Sequence, residues 1–227
     1  MIRPRQLVAA GLSAAVGVLI ASGARAQDRV AGGRIEISAG VMWAGHSSLG
    51  SAAATETAPS GRFTLFSTST DLAAAAGVEA RVGVKVTPVL ELEASSSYVR
   101  PRLDTAVSGD VENGAAATAS ESFRQFAVSG AVLVNVARWR IGRRATPFAL
   151  AGAGYLRELH EGDTLAVGGQ TYFAGGGIKY LLASRPHRLK GVGVRADVRA
   201  LVRRKGVAFD TNLHTMPVVA ASLFVRF

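Results

Sequence analysis

The 227-residue chain contains no cysteine, which removes disulfides, thiolate nucleophiles and cysteine-ligated metal sites from its chemistry. Aromatic residues are scarce at 7%, and the basic residues are dispersed, not gathered on one amphipathic helix or among stacking rings. A nucleic-acid partner is therefore not expected. Acids are outnumbered, with 16 Asp and Glu against 26 Lys and Arg and a formal net charge of +10, so anionic lipid is the better match. The four histidines are scattered, and no phosphate-binding Gly-x-x-x-x-Gly-Lys, His-Glu-x-x-His or calcium-loop spacing occurs. No metal or cofactor is expected. After residue 21 there is also no apolar run long enough to cross a membrane as a helix.

The one long apolar stretch, Leu7 to Ala21, follows the basic start Met1-Ile2-Arg3-Pro4-Arg5 and precedes Ala24-Arg25-Ala26. That order reads as a secretory signal cleaved after residue 26; the stretch is too short and too rich in small residues for an anchor. Its removal takes away three arginines and no acid. The remaining chain, 27–227, has 201 residues and a net charge of +7, enough for one sizeable domain.

What fills those residues is alternation. Ile35, Ile37, Ala39, Val41 and Trp43 interleave with Glu36, Ser38, Gly40 and Met42, and Ala76, Val78, Ala80, Val82, Val84 and Val86 with Gly77, Glu79, Arg81, Gly83 and Lys85. Period two predicts strands, each with one apolar and one polar face. The same pattern runs near Leu90 to Tyr98, Arg124 to Ala137, Pro147 to Glu158, Thr171 to Leu182, Gly191 to Val202 and Pro217 to Phe227, making eight strands. The fifth and sixth are rich in Gly and Ala, which suits a barrel wall that bends sharply or encloses a crowded interior. The last strand sets Val219, Ala221, Leu223, Val225 and Phe227 in one stripe and ends on an aromatic.

The connections fall into two kinds. Polar loops near His46 to Thr70, Arg100 to Glu121, Leu159 to Gln170 and Arg203 to Leu213 alternate with shorter gaps at Thr87-Pro88, Arg138 to Thr146 and Ala183 to Leu189. Long loops at one end and short turns at the other predict an all-β, eight-stranded antiparallel up-and-down transmembrane β-barrel, its termini and short turns on the periplasmic side. Aromatic girdles follow from that orientation: Trp43, Tyr98, Phe126 and Tyr172 toward the outer rim, Phe148, Tyr180 and Phe227 toward the periplasmic rim. The basic turns (Arg138, Arg140, Arg143, Arg144, Arg185, Arg188) suit anionic headgroups there.

The polar face then lines a narrow lumen shared by Glu36, Glu79, Arg81, Lys85, Glu91, Glu93, Lys179, Arg195, Asp197, Arg199 and Arg226. Their mixed signs allow a paired network that fills the space, and eight strands leave little room for a pore. The Glu91 and Glu93 pair is more simply interior lining than a catalytic dyad.

These features together, with the Pro147-Phe148-Ala149-Leu150-Ala151-Gly152-Ala153-Gly154-Tyr155 strand and the terminal Phe227, resemble the small eight-stranded bacterial outer-membrane barrels. That family includes the OmpA transmembrane domain and the OmpX-like surface proteins. The resemblance implies a bacterial outer-membrane location, a monomeric barrel among lipids and lipopolysaccharide, and an assembly signal in Phe227, Val225 and Leu223 read by the outer-membrane assembly machinery. It also implies roles in envelope integrity, adhesion or surface-ligand binding through the extracellular loops. No peptidoglycan-binding domain follows Phe227, so wall anchoring by that route is not expected. Two other classes stand beside this reading. A lipid-A-modifying barrel hydrolase would need a Ser and His near the outer rim, for which His46-Ser47-Ser48 is the candidate cluster and His160-Glu161 a less specific one; adjacency alone does not make a base and nucleophile. A soluble lipocalin-like periplasmic carrier would turn its apolar stripes inward around a ligand. Neither is favoured, and no catalytic residue is assigned.

Overall fold

The computed structural model describes residues 33–59, 61–109, 117–136, 144–160, 166–184, 189–204 and 214–227. The signal at 1–26 and the turn residues Arg138, Arg140, Arg143, Arg185 and Arg188 lie outside them. Eleven strands are described: β1 (Ile35–Ala44), β2 (Ser47–Ala58), β3 (Gly61–Leu72), β4 (Ala75–Lys85), β5 (Leu90–Val99), β6 (Arg102–Ser108), β7 (Ala117–Asn135), β8 (Ala145–His160), β9 (Ala166–Ala183), β10 (Gly191–Arg204) and β11 (His214–Arg226).

Eight of these close a barrel. Every neighbour is antiparallel in the ring β1-β4-β5-β7-β8-β9-β10-β11, and β11 returns to β1. The closure runs from Glu36↔Arg226 to Ala44↔Val218, and the opposite wall from Phe123↔His160 to Asn135↔Phe148. Closure leaves no unpaired edge in the ring, so backbone N–H and C=O groups are satisfied without water. A spanning sheet requires that condition.

Alternation decides which face meets what. Val41, Val78, Val82, Val128, Val198 and Leu223 stand on the outside and are exposed, while Glu36, Arg81, Glu91, Lys179, Arg195 and Asp197 are buried within. An exposed band of aliphatic side chains around the whole wall is untenable in water and favourable in hydrocarbon. Trp43, Phe126 and Tyr172 are exposed toward the end with long connections, and Tyr180 and Phe227 toward the other. The protein is thus an eight-stranded transmembrane β-barrel. A soluble carrier, with its aliphatics turned inward, is excluded.

The remaining strands build upward from the long-connection end. β2 pairs with β3, β3 with β6, and β6 with the first residues of β7, from Arg102↔Ser122 to Val107↔Ala117. β7 is therefore shared: its later half pairs with β5 inside the barrel wall and its first turns belong to the projecting sheet. Here the sequence expectation is corrected. The stretch from His46 to Thr70 is not a polar loop but falls in a paired hairpin of two twelve-residue strands, and 100–121 contains β6 and the start of β7. Both faces of β2 are largely exposed, so no apolar alternation was required of Ser47–Ala58 and none is written there.

A second correction concerns Phe148. It was placed on the periplasmic girdle, yet it points into the lumen and is 3% exposed. Phe173 and Phe224 are inside as well. Glycines make this possible: a Cβ on Gly193 would run into the Phe224 ring, and one on Gly152 into the Phe173 ring. Inward glycine opposite an inward ring is how a narrow barrel accommodates an aromatic.

Candidate functional site: the filled lumen and its rims

Because side chains two apart on a strand share a face, the inward residues stack in layers along the barrel axis. The layer nearest the short-turn end joins β1, β5, β9 and β11. Lys179 Nζ lies 2.6 Å from Glu36 Oε1 and donates to Glu91 Oε1 at 2.9 Å, while Arg226 Nε donates to Glu36 Oε2 at 2.8 Å. Lys85 stands beside this layer half-buried and takes part in none of these direct pairs.

The next layer crosses from β4 and β5 to β10. Arg81 Nη1 donates to Asp197 Oδ2 at 2.9 Å and Arg81 Nη2 to Glu79 Oε2 at 2.5 Å. Arg199 reaches both acids, through Nη1 to Glu79 Oε1 at 3.0 Å and Nε to Asp197 Oδ1 at 2.8 Å. Arg195 pairs with Glu93 and places its guanidinium 4.6 Å from the centroid of Phe148. The ring buried by the phase of β8 thus becomes a lid on a buried cation. A hydroxyl pair, Ser95 and Ser129 at 2.7 Å, bridges β5 and β7 alongside.

Toward the long-connection end the lumen changes character. Met42, Leu49, Leu72, Val99, Met216 and Val218 are buried in one apolar cluster, and Leu133, Phe148, Leu150 and Phe173 form a second, lower on the β7–β9 side. Beside the upper cluster Arg203 pairs with Glu158, both buried. This pair was not among the expected lumen residues because Arg203 was assigned to a loop; the parity of Arg195, Asp197 and Arg199 carries on to it and could have shown it.

Desolvating so many charges is costly unless each is compensated, and here the carboxylates each hold at least one cation. The structure brings together Glu79, Arg81, Glu93, Arg195, Asp197 and Arg199, and separately Glu36, Glu91, Lys179 and Arg226. Phe227 donates its backbone N–H to Ile35 O at 2.9 Å, tying the last residue to the first strand, and Leu223 and Phe227 are exposed on the lipid side. His46 and Ser47 are not brought together: His46 is exposed and Ser47 buried, on opposite faces. His46 Nε2 instead lies 3.5 Å from Asp71 Oδ1, and the residue opposite Asp71 in register is Ser48. His160 pairs in register with Phe123 at the top of β7 and β8, and Glu161 lies outside the described residues. No group of three potential metal ligands occurs among the described residues.

No protein-family model matches the sequence, and no curated protein matches it either. Solved structures do. The outer membrane protein OprG from Pseudomonas aeruginosa is 11% identical, with 86% of this chain and 95% of that chain covered at a TM-score of 0.50. Neisserial surface protein A is 10% identical, with 84% and 94% covered at 0.49, and Ail, the attachment invasion locus protein of Yersinia pestis, is 13% identical, with 85% and 99% covered at 0.37. The chain has the fold of the small eight-stranded outer-membrane barrels, and the apolar belt marks that fold as membrane-spanning.

Proposed function

We propose that the protein is a monomeric outer-membrane barrel without a through-pore, whose role is structural or surface interaction through the sheet it raises above the membrane. Residues 1–26 serve as its export signal, and Phe227 with Val225 and Leu223 as the segment read by the assembly machinery. Lipids and lipopolysaccharide surround the belt. The observation that carries the reading is the lumen itself, packed with paired charges and capped by apolar side chains: what cannot conduct leaves the projecting β2, β3, β6 and β7 sheet as the part offered to other molecules.

The test compares cells bearing the wild-type protein, a variant with residues 50–70 replaced by a short turn, and none. The variant is expected to remain in the outer-membrane fraction with heat-modifiable gel mobility while attachment of the cells to surfaces or host material falls to the level of cells without the protein. Lipid A profiles are read in parallel. A hydrolase should use Ser48, which shares the outer face with His46 and stands opposite Asp71, not Ser47; loss of an acyl chain that depends on Ser48 would replace the non-enzymatic reading.

A further inference from the structure

The barrel ring has no open edge, but the sheet raised above it does. β2 pairs with β3 alone, and among the described strands it is the one with a single partner. Proteins blunt such edges with lysine, proline or a covering segment, because a free row of N–H and C=O groups recruits further chain. Between Ser47 and Thr57 β2 carries no lysine, arginine or proline and one acid, Glu56. Two register shifts, at Ser48/Gly50 and Ala54/Thr55, bracket a regular run from Gly50 to Ala54, which lies opposite Thr70 to Phe66. Ser51, Ala52 and Ala53 are exposed, whereas Ser47 and Leu49 at the foot of the strand are buried against the rim. The open edge is therefore the middle of β2, where small side chains permit close approach.

Symmetry decides which copy of the chain such an edge can accept. When two identical edges join one continuous sheet, the strands run antiparallel and are related by a twofold axis perpendicular to the sheet. The projecting sheet continues the barrel wall, since β7 belongs to both, so that axis lies in the plane of the membrane and inverts one barrel relative to the other. The two copies sit in facing membranes. Upright copies in one membrane cannot use this edge on each other, because their β2 strands point the same way and β3 already occupies the side a parallel neighbour needs. The sheet's other edge, β7 before Phe123, is no substitute: a β7 laid beside β2 would continue downward into the place beside β1 that β11 holds.

The twofold axis passes between a residue and its own copy. Centred on Ala52, it sets Gly50 opposite Ala54 and Ser51 opposite Ala53, all small and uncharged, and Glu56 opposite Ser48. The two Glu56 carboxylates then stand roughly 27 Å apart along the ladder, so no like charges meet. We propose that β2 pairs with β2 of a second copy in a facing outer membrane, antiparallel and centred on Ala52, and that the protein thereby joins cells to one another. This rests on the surface-interaction reading given above and names its partner. So short a ladder is too small an interface for a stable pair in solution; its strength comes from many copies engaged at once between two membranes. A twelve-residue strand is roughly 40 Å long, which sets how closely the membranes must approach.

The full protein is displayed on Gram-negative host cells with truncated lipopolysaccharide, and clustering is read by settling and by two-colour cytometry. Cells bearing the wild type are expected to cluster with one another and to exclude differently coloured cells that lack the protein. Ala52→Lys cells and Ala52→Glu cells should each settle no faster than cells without the protein, since each variant sets like charges across the axis. Mixed together they should cluster again with both colours in each cluster, which a merely damaged hairpin cannot do. The chain has no cysteine, so Ala52→Cys copies carried under two epitope tags on separate populations should be joined tag to tag by a short impermeant bis-maleimide. Thr57→Cys, which the register holds roughly 34 Å from its copy, should not be joined. Heat-modifiable mobility shows that each barrel is folded, and the attachment assay with residues 50–70 replaced reports the broader reading separately. Folded wild-type barrels that leave cells dispersed, clusters that recruit cells without the protein, Ala52→Lys and Ala52→Glu populations that stay apart when mixed, or Ala52→Cys copies that remain unjoined in clustered cells overturn the pairing.

Discussion

At the scale of single residues the lumen is governed by Arg195. It is 2% exposed, is the direct cation of Glu93, approaches Asp197 Oδ2 at 3.3 Å and lies over Phe148. Arg195→Met keeps much of the volume but leaves Glu93 buried without that partner. Breaking one side of a buried pair typically costs about 3–5 kcal/mol, so the urea midpoint of the variant in lipid vesicles should fall accordingly. Adding Glu93→Gln removes the stranded charge, and the double variant is expected to be more stable than Arg195→Met alone. Midpoints that simply add would mean that the two groups do not communicate. The inward residues of this network were readable from sequence by parity alone: in Val192 to Val202 every second residue is aliphatic, which forces Arg195, Asp197 and Arg199 together on the other face. Which acid takes which cation was not readable, because partners such as Arg81 and Asp197 are 116 residues apart and meet only through the stagger of non-adjacent strands.

At the scale of elements, legibility tracks the contrast between the two surroundings of a strand. β4 and β10 separate hydrocarbon from a charged lumen, and β4 alternates from Val78 to Val84 and β10 from Gly191 to Ala200. β2, β3 and β6 stand above the membrane with no such contrast, so their Ser, Thr and Ala carried no period and the segments read as loops. β8 lies between these cases: its Ala-Gly run marked a strand but gave no phase, and Phe148 was assigned to the wrong face. The same contrast predicts how substitutions behave. Val82 is 48% exposed and lies at the level of Ala94 and Gly130, so Val82→Arg puts a cation in mid-belt and should destabilise the barrel by about 2–4 kcal/mol in vesicle unfolding. Ala52→Arg, exposed on β2, should change the same midpoint by less than about 0.5 kcal/mol. Equal effects at the two sites would place the hydrocarbon boundary somewhere other than the top of β1 and β4.

At the scale of the whole molecule, the packing of the lumen bears on the proposed absence of a through-pore. Two obstacles lie in series. In the central charged layer Glu79 and Asp197 each receive two arginines, and above it Met42, Leu72, Val99 and Met216 form an apolar cluster that cannot replace an ion's hydration. The wild-type barrel in a planar bilayer should therefore show no discrete conductance steps. Series obstacles also predict an order of effects. Replacing Glu79, Arg81, Asp197 and Arg199 with alanine empties the central layer but leaves the apolar cap, so conductance should stay near zero while stability drops. Adding Met42→Ser and Met216→Ser wets the cap, and only then should steps appear, provided heat-modifiable mobility shows that the barrel is still closed. Steps in the alanine variant alone would assign the seal to the ion pairs, and steps in the wild type would mean that the lumen carries a path its packing denies.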